Sequence, residues 1–143
     1  MDIGLKAYLA AIIDGCGYIH IRKYKTKVGS PRDVYTLALS ISHKDGRLMD
    51  WLVKVLGCGW SCEGDNTHRW VLTGRKVGDL LEKVRPFMVI KQEQADIAID
   101  YAETIHTEPG VKPLDKPVRE QRDRWHKDLI ELHGKDSHLT GKT

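Results

Sequence analysis

Apolar and polar positions along the chain alternate with two distinct periods, and these periods divide it into elements. Leu5 to Asp14 carries Leu5, Leu9, Ile12 and Ile13 at helical spacing, with Ala10 and Ala11 adding small side chains. Gly15 and Gly17 are expected to stop this helix. "YIHIRKYKT" then alternates. Ile19 and Ile21 point one way, and Tyr18, His20, Arg22 and Tyr24 the other. "VGSPR" reads as a loop. "VYTLALSIS" alternates again, with Tyr35, Leu37, Leu39 and Ile41 on one face and Thr36, Ala38, Ser40 and Ser42 on the other. The two strands predict a hairpin with an apolar inner face and a polar, basic outer face.

"HKDGRLMDWLVKVLG" predicts a second helix. Asp45 is its expected N-cap, Leu48, Leu52, Val55 and Leu56 its buried stripe, and Gly57 its end. "GWSC" and "HRWVLT" form a second hairpin around "EGDNT", with Trp70 and Leu72 inward and Arg69, Val71 and Thr73 outward. "RKVGDLLEKVRPFM" is a helix ended by Pro86. "KQEQADIAIDYAETIH" is a longer one with Ile97 and Tyr101 on one side. A Pro-rich linker over 107–117 separates the main domain, 1–106, from a charged helical extension over 118–134 and a tail at 135–143. The extension's Arg119, Arg122, Arg124 and Lys127 are interleaved with acids, which favours packing over contact with a polyanion. The expected class is α+β: a four-stranded antiparallel sheet with helices on one face, in the order αββαββα plus a C-terminal helix.

At 143 residues, 41% hydrophobic and 30% charged, the chain is long enough for one core and too apolar for disorder. No apolar run approaches the ~18 residues of a membrane span, so no membrane partner is expected. The N-terminus lacks the pattern of a secretory signal, so a cytosolic protein is the simplest reading. Net charge is only +3, but Gly15 through Arg32 contains no acid and holds Arg22, Lys23, Lys25, Lys27 and Arg32. That local field suits a polyanion.

Cys16, Cys58 and Cys62 make an odd count, which argues against a disulfide framework. Cys58 and Cys62 with His68 give too few donors for an ordinary zinc site, and buried structural thiols are expected instead.

"LAAIIDGCG" (Leu9 to Gly17) resembles the signature motif of the LAGLIDADG homing endonucleases. "ISHKDGRLMDWLVKVLG" resembles that family's entry into its second helix, and "PFMVIKQEQADIAI" its Lys-x-x-Gln segment. The resemblance spans roughly residues 5–106, and the independently read αββαββα order is the family's fold.

The resemblance implies a homodimer whose motif helices pack side by side, which places Tyr8, Ala10, Ala11 and Ile12 at the seam. It implies two sheets forming a saddle over double-stranded DNA, cut at a long near-palindromic site with Mg²⁺ or Mn²⁺. Asp14 would cap and pack the helix end. Cys16 stands where the family has its metal-binding catalytic acid, beside the carbonyl of Gly15, the accompanying ligand. Lys91 matches a basic residue near the scissile phosphate, and His43 lies near a position close to the reacting water. His20, Arg22, Tyr24, Thr26, Thr36, Ser40 and Arg69 match strand positions that contact DNA, with Arg22 and Arg69 suited to guanine edges. Lys23, Lys25, Lys27 and Arg32 suit phosphates.

Cys16 departs from this pattern. Mg²⁺ wants oxygen donors, and a thiol is soft and usually protonated near neutrality. Three explanations stand: a crippled chain in which an acid was replaced, a natural member that binds without cutting, or use of a softer metal. A binding protein on this scaffold, including an intron maturase that takes intron RNA, is the alternative function.

Overall fold

The computed structural model describes residues 1–27, 29, 31, 33–105 and 116–139, with side chains through 134. The elements run α1 (Ile3–Cys16), β1 (Gly17–Lys25), β2 (Asp33–His43), α2 (Arg47–Leu56), β3 (Trp60–Gly64), β4 (Thr67–Thr73), α3 (Arg75–Val84), a 3₁₀ turn (Arg85–Phe87), α4 (Gln92–Glu103) and α5 (Lys116–Leu139). The strands form one antiparallel sheet in the order β1-β2-β4-β3. The expected α+β architecture is present, with helices on one face of the sheet.

The core lies between that face and the helices. Ile19, Ile21, Tyr35, Leu37, Leu39, Ile41, Trp70 and Leu72 alternate along three strands and are buried. They meet Leu9 and Ile13 of α1, Leu52 of α2, Leu81 of α3 and Tyr101 of α4 in one cluster. Each such side chain is worth roughly 1.5–3 kcal/mol when fully buried, so this face of the sheet cannot also serve a ligand.

Trp70 anchors the second hairpin. Its indole N–H donates to the Cys58 carbonyl at 3.1 Å. Gly59 passes beside the ring at φ 81°, where a Cβ would come within 2.5 Å of the indole nitrogen. Glycine is required there by both backbone and space. Asn66, at φ 59°, closes the turn between β3 and β4.

Several local expectations are corrected. α1 does not stop at Asp14 but continues through Gly15 to Cys16. α2 begins at Arg47, after Gly46. Asp45 still serves its first amide, accepting from Arg47 N at 3.0 Å and gripping the guanidinium at 2.6 Å. Val55 is 39% exposed, and Met49 takes the inner place instead. The helix presents its 49/52 edge to the core, one residue round from the expected stripe. Cys62 is exposed rather than buried, and Cys58 is half-buried.

The linker expected at 107–117 lies mostly outside the described residues. α5 begins at Lys116, and its backbone remains helical to Leu139, past the expected end at 134. It packs through Leu129, which is buried, and through Trp125, whose ring lies 5.9 Å from that of Tyr101. The Arg122 guanidinium covers the Tyr101 ring at 4.8 Å and donates to the Thr104 carbonyl at 3.3 Å. Burial raises the Tyr101 phenol to about 12. Among the described residues, no helix is long and apolar enough to cross a membrane.

Candidate nucleic-acid interface

The corner where α1 meets β1 is built from two distant segments. Asp14 accepts from the backbone N–H groups of Val89 (2.7 Å), Ile90 (3.3 Å) and Lys91 (3.2 Å). Lys91 reaches back, its ammonium donating to the carbonyls of Gly17 (2.6 Å) and Ile13 (3.2 Å). A cation thus sits at the negative end of α1, where the last carbonyls lack helical partners. Gly17 leaves α1 in an extended conformation, and a Cβ on it would lie 2.7 Å from the Ile13 carbonyl oxygen. The glycine is there for close approach. Gly15 and Cys16 are exposed at this corner.

From the corner, β1 carries its open-face side chains outward in order: Tyr18, His20, Arg22 and Tyr24. Arg22 lies six residues along, or roughly 20 Å from Cys16 at ~3.3 Å per residue. The pairings place Ser40 beside Tyr18, Ala38 beside His20 and Thr36 beside Arg22. They also place Val71 beside Ser40, Arg69 beside Ser42, Trp60 beside Val71 and Cys62 beside Arg69. Read across all four strands, the described side chains on this face include no Asp or Glu. Arg22, Tyr24, Trp60 and Arg69 are exposed on it.

Burial lowers the His20 imidazole below its ordinary value, and the nearby Arg22, His133 and Arg69 lower it further, outweighing the Tyr18 backbone contact.

No family model matches the chain, and no curated protein matches it. Solved structures do. The homing endonuclease I-CvuI, crystallised on a DNA target with Mg and the DNA uncleaved, aligns with a TM-score of 0.77 at 20% identity, covering 90% of this chain and 81% of that one. The archaeal intron-encoded homing endonuclease I-Vdi141I, complexed with DNA, gives 0.62 at 19% identity, covering 85% and 96%. The LAGLIDADG meganuclease I-AabMI, bound to uncleaved DNA, gives 0.70 at 13% identity, covering 84% of this chain but 44% of that one. This chain has the LAGLIDADG homing-endonuclease fold.

Within that fold, the site residues expected from the sequence fall into separate groups. Asp14, Gly15, Cys16 and Lys91 come together at the corner. Asp14, however, caps the segment entering α4 rather than its own helix. His20, Arg22, Tyr24, Thr36 and Arg69 share the open face. Ser40 faces the same way but is 8% exposed, shaded between the taller Tyr18 and Val71. Lys25, Thr26 and Lys27 lie at the hairpin tip, and Arg32 lies outside the described residues.

Lys23 has the parity of Ile19 and Ile21 and sits on the helix side. Its ammonium pairs with Asp123 of α5 at 2.6 Å, so it does not join the outward set. His43 shares the parity of Ile41, again on the helix side. Its Nδ1 accepts from Asp45 N at 2.9 Å, a role at the entry to α2.

α1 turns differently from the expectation based on its two alanines. Ala10 is 0% exposed, inside the chain's own core, and Ile12 is half-buried. The exposed small residues are Gly4, Ala7, Ala11 and Gly15, along one helical face, with Tyr8 beside them. Tyr8 packs edge-on against Trp51 of α2, ring centroids 5.3 Å apart.

Two open-face residues, Trp60 and Cys62, escaped the sequence reading. Alternation from the inward Trp70 across the hairpin would have found them.

The divalent cation expected from the sequence resemblance needs hard oxygen donors. This corner offers the Gly15 carbonyl and the Cys16 thiol. Asp14 is occupied by three backbone N–H groups. Among the described residues, no three His, Cys, Asp or Glu side chains group to hold a metal. The residues present do not fit Mg²⁺ or Mn²⁺.

Proposed function

We propose that the chain is a site-specific double-stranded-DNA-binding protein of the homing-endonuclease type, acting as a homodimer on a long near-palindromic site, with strand cutting weakened by Cys16. One observation carries this reading: the open face of the sheet carries Arg22, Arg69, Tyr24 and Trp60 and no described carboxylate, beside a corner whose acid position is a thiol. Such a face suits a duplex, with arginines for base edges and the tip lysines for phosphates.

The dimer draws support from two independent facts. The exposed Gly4, Ala7, Ala11 and Gly15 stripe lets a second helix approach closely, as small-residue stripes do elsewhere. The chain also spans under half of I-AabMI, as one of two similar units would. A two-fold protein calls for a two-fold site.

A protein that binds without cutting, a repressor or an intron maturase on RNA, is the second reading. The poor fit of the corner to a hard cation favours it over efficient cutting.

Selection of bound duplexes from a random pool tests the first part. A recovered palindrome of roughly two helical turns is expected, and recovery of no preferred sequence counts against it. Incubating the bound site with Mg²⁺ or Mn²⁺ then compares the protein with Cys16→Asp. Cutting by the aspartate variant supports an endonuclease scaffold. Tight binding without cutting by either protein leaves the binding reading in place of the nuclease.

A further inference from the structure

α5 runs antiparallel to β1 along the free edge of the sheet. Asp123 meets Lys23 near the hairpin tip, and His133 Nε2 donates to the Ile19 carbonyl at 2.5 Å nearer the corner. Between helix and strand lies a groove of about 340 Å³ that opens beside the open face, and none of the described side chains lining it is a carboxylate. Tyr18, His20 and Arg22 line it from the strand, and His126, Ile130 and His133 from the helix. The Tyr18 ring lies 4.7 Å from that of His20 and 4.3 Å from that of His133, so three rings form a continuous wall. Asp123, the α5 carboxylate that meets β1, is held by Lys23 at 2.6 Å and Lys127 at 3.1 Å.

We infer that this groove binds a phosphate of the DNA backbone, which makes α5 part of the DNA-contacting surface. The inference rests on the DNA-binding reading above and extends it to an element that the sequence assigns to packing. A guanidinium and imidazole N–H groups are phosphate donors, and a neutral imidazole still donates through one nitrogen. The exposed Ile130 and the Tyr18 ring give the adjoining sugar an apolar wall. His133 is committed to Ile19 and fixes the helix, so His126 is the donor that α5 itself adds. Contacts of this kind hold the duplex in register and carry no base information. In a dimer the groove occurs twice, once at each flank of the site.

The test uses the whole chain and the duplex recovered by selection. His126→Glu places a carboxylate in the groove and is expected to weaken binding at least about tenfold with base preference unchanged. His126→Gln keeps an N–H donor and is expected to bind within about twofold of the parent. Thermal melts of both variants separate lost contact from lost fold. In parallel, inorganic phosphate is titrated while the imidazole C–H resonances are followed by NMR. A saturable shift at His126, absent in His126→Glu, is expected. Unchanged duplex affinity in His126→Glu, in a protein that binds duplex, overturns the inference. If the chain binds no duplex at all, the DNA reading falls. The phosphate titration then decides the groove alone: a shift keeps it as an anion site, and no shift removes it.

Discussion

Asp14 holds the backbone at Lys91, and Lys91 holds the backbone on either side of Asp14. The carboxylate of Asp14 accepts three N–H groups from Val89 to Lys91, and the ammonium of Lys91 donates to the carbonyls of Ile13 and Gly17. The two residues exchange caps, one at the entry to α4 and one at the exit of α1. The corner bearing Cys16 is therefore fixed by a segment over seventy residues away, while Cys16 itself stays exposed.

This exchange predicts coupled losses. Asp14→Ala strands three amide donors and should destabilise the protein by about 1–3 kcal/mol. Lys91→Ala removes the partner of the α1 carbonyls and should cost about 0.5–1.5 kcal/mol. Because each substitution loosens the segment that the other residue caps, the double variant should lose less than the sum. Urea melts of the four proteins check this, and strict additivity would mean that the two caps act independently.

Helices α3 and α4 approach closely at Gly78. A Cβ there would lie 2.3 Å from the Cβ of Ala102, with no flexible chain end to yield. Gly78→Ala should therefore destabilise by about 1–3 kcal/mol, although alanine is the better helix former. Adding Ala102→Gly should restore part of the loss. A Gly78→Ala protein as stable as the parent would show that the helices slide apart at no cost.

The faces of the strands were readable because side-chain direction in a strand has a strict period of two. Ile19, Ile21, Leu37, Leu39 and Ile41 needed no tertiary information. Lys23 shares the parity of Ile21, and a run of cations along a strand carries sign but not direction. The rotation of α1 was harder. Ala10 and Ala11 are adjacent and equally small, and only packing against the sheet shows that Ala10 is inside. Gly15 resembled a helix stop because propensity is local, whereas the Asp14 and Lys91 caps that carry α1 on to Cys16 come from distant chain. Trp60 and Cys62 lie on a strand too short to show its own alternation.

Exposure predicts an order of thiol reactivity. Cys16 and Cys62 are exposed, and Cys58 is half-buried beside the Trp70 anchor. In the folded protein under reducing conditions, a maleimide should label Cys16 and Cys62 in a fast phase and Cys58 in a slower one. Peptide mapping of the labelled protein identifies each site. Fast labelling of Cys58 would place the second hairpin in a looser arrangement.

The seat of α5 on β1 should weaken in acid. Hydrogen bonds from Lys23 and then Lys127 hold the Asp123 carboxyl at about 2, below its ordinary 3.8. A carboxyl lowered in the folded state stabilises at pH above its ordinary value, and that contribution is lost as pH falls from about 4 toward 2. The pair is partly exposed, so the effect is small and shrinks with added salt. The NMR signal of the Trp125 indole, packed near Tyr101, should report it as a shift in that pH window. Asp123→Asn should remove the step, and an unchanged step in that variant would assign it to another carboxylate.

Two tryptophans, one on each face of the second hairpin, separate fold from function. Trp70 is fully buried and hydrogen-bonded, and Trp70→Ala should cost about 3–5 kcal/mol. Trp60 is 51% exposed on the open face, beside Val71 and two pairings from Arg69. Its ring offers apolar area to a sugar or a thymine methyl at little cost in chain entropy. Trp60→Ala should leave the melting temperature within a few degrees, the scale of about 1 kcal/mol in a chain of this size. It should weaken binding to the selected duplex by about 1–3 kcal/mol. Binding titrations and melts on the same preparations check both halves. If Trp60→Ala binds duplex as tightly as the parent, the β3 end of the open face lies outside the contact, and the interface is confined to the β1, β2 and β4 side of the sheet.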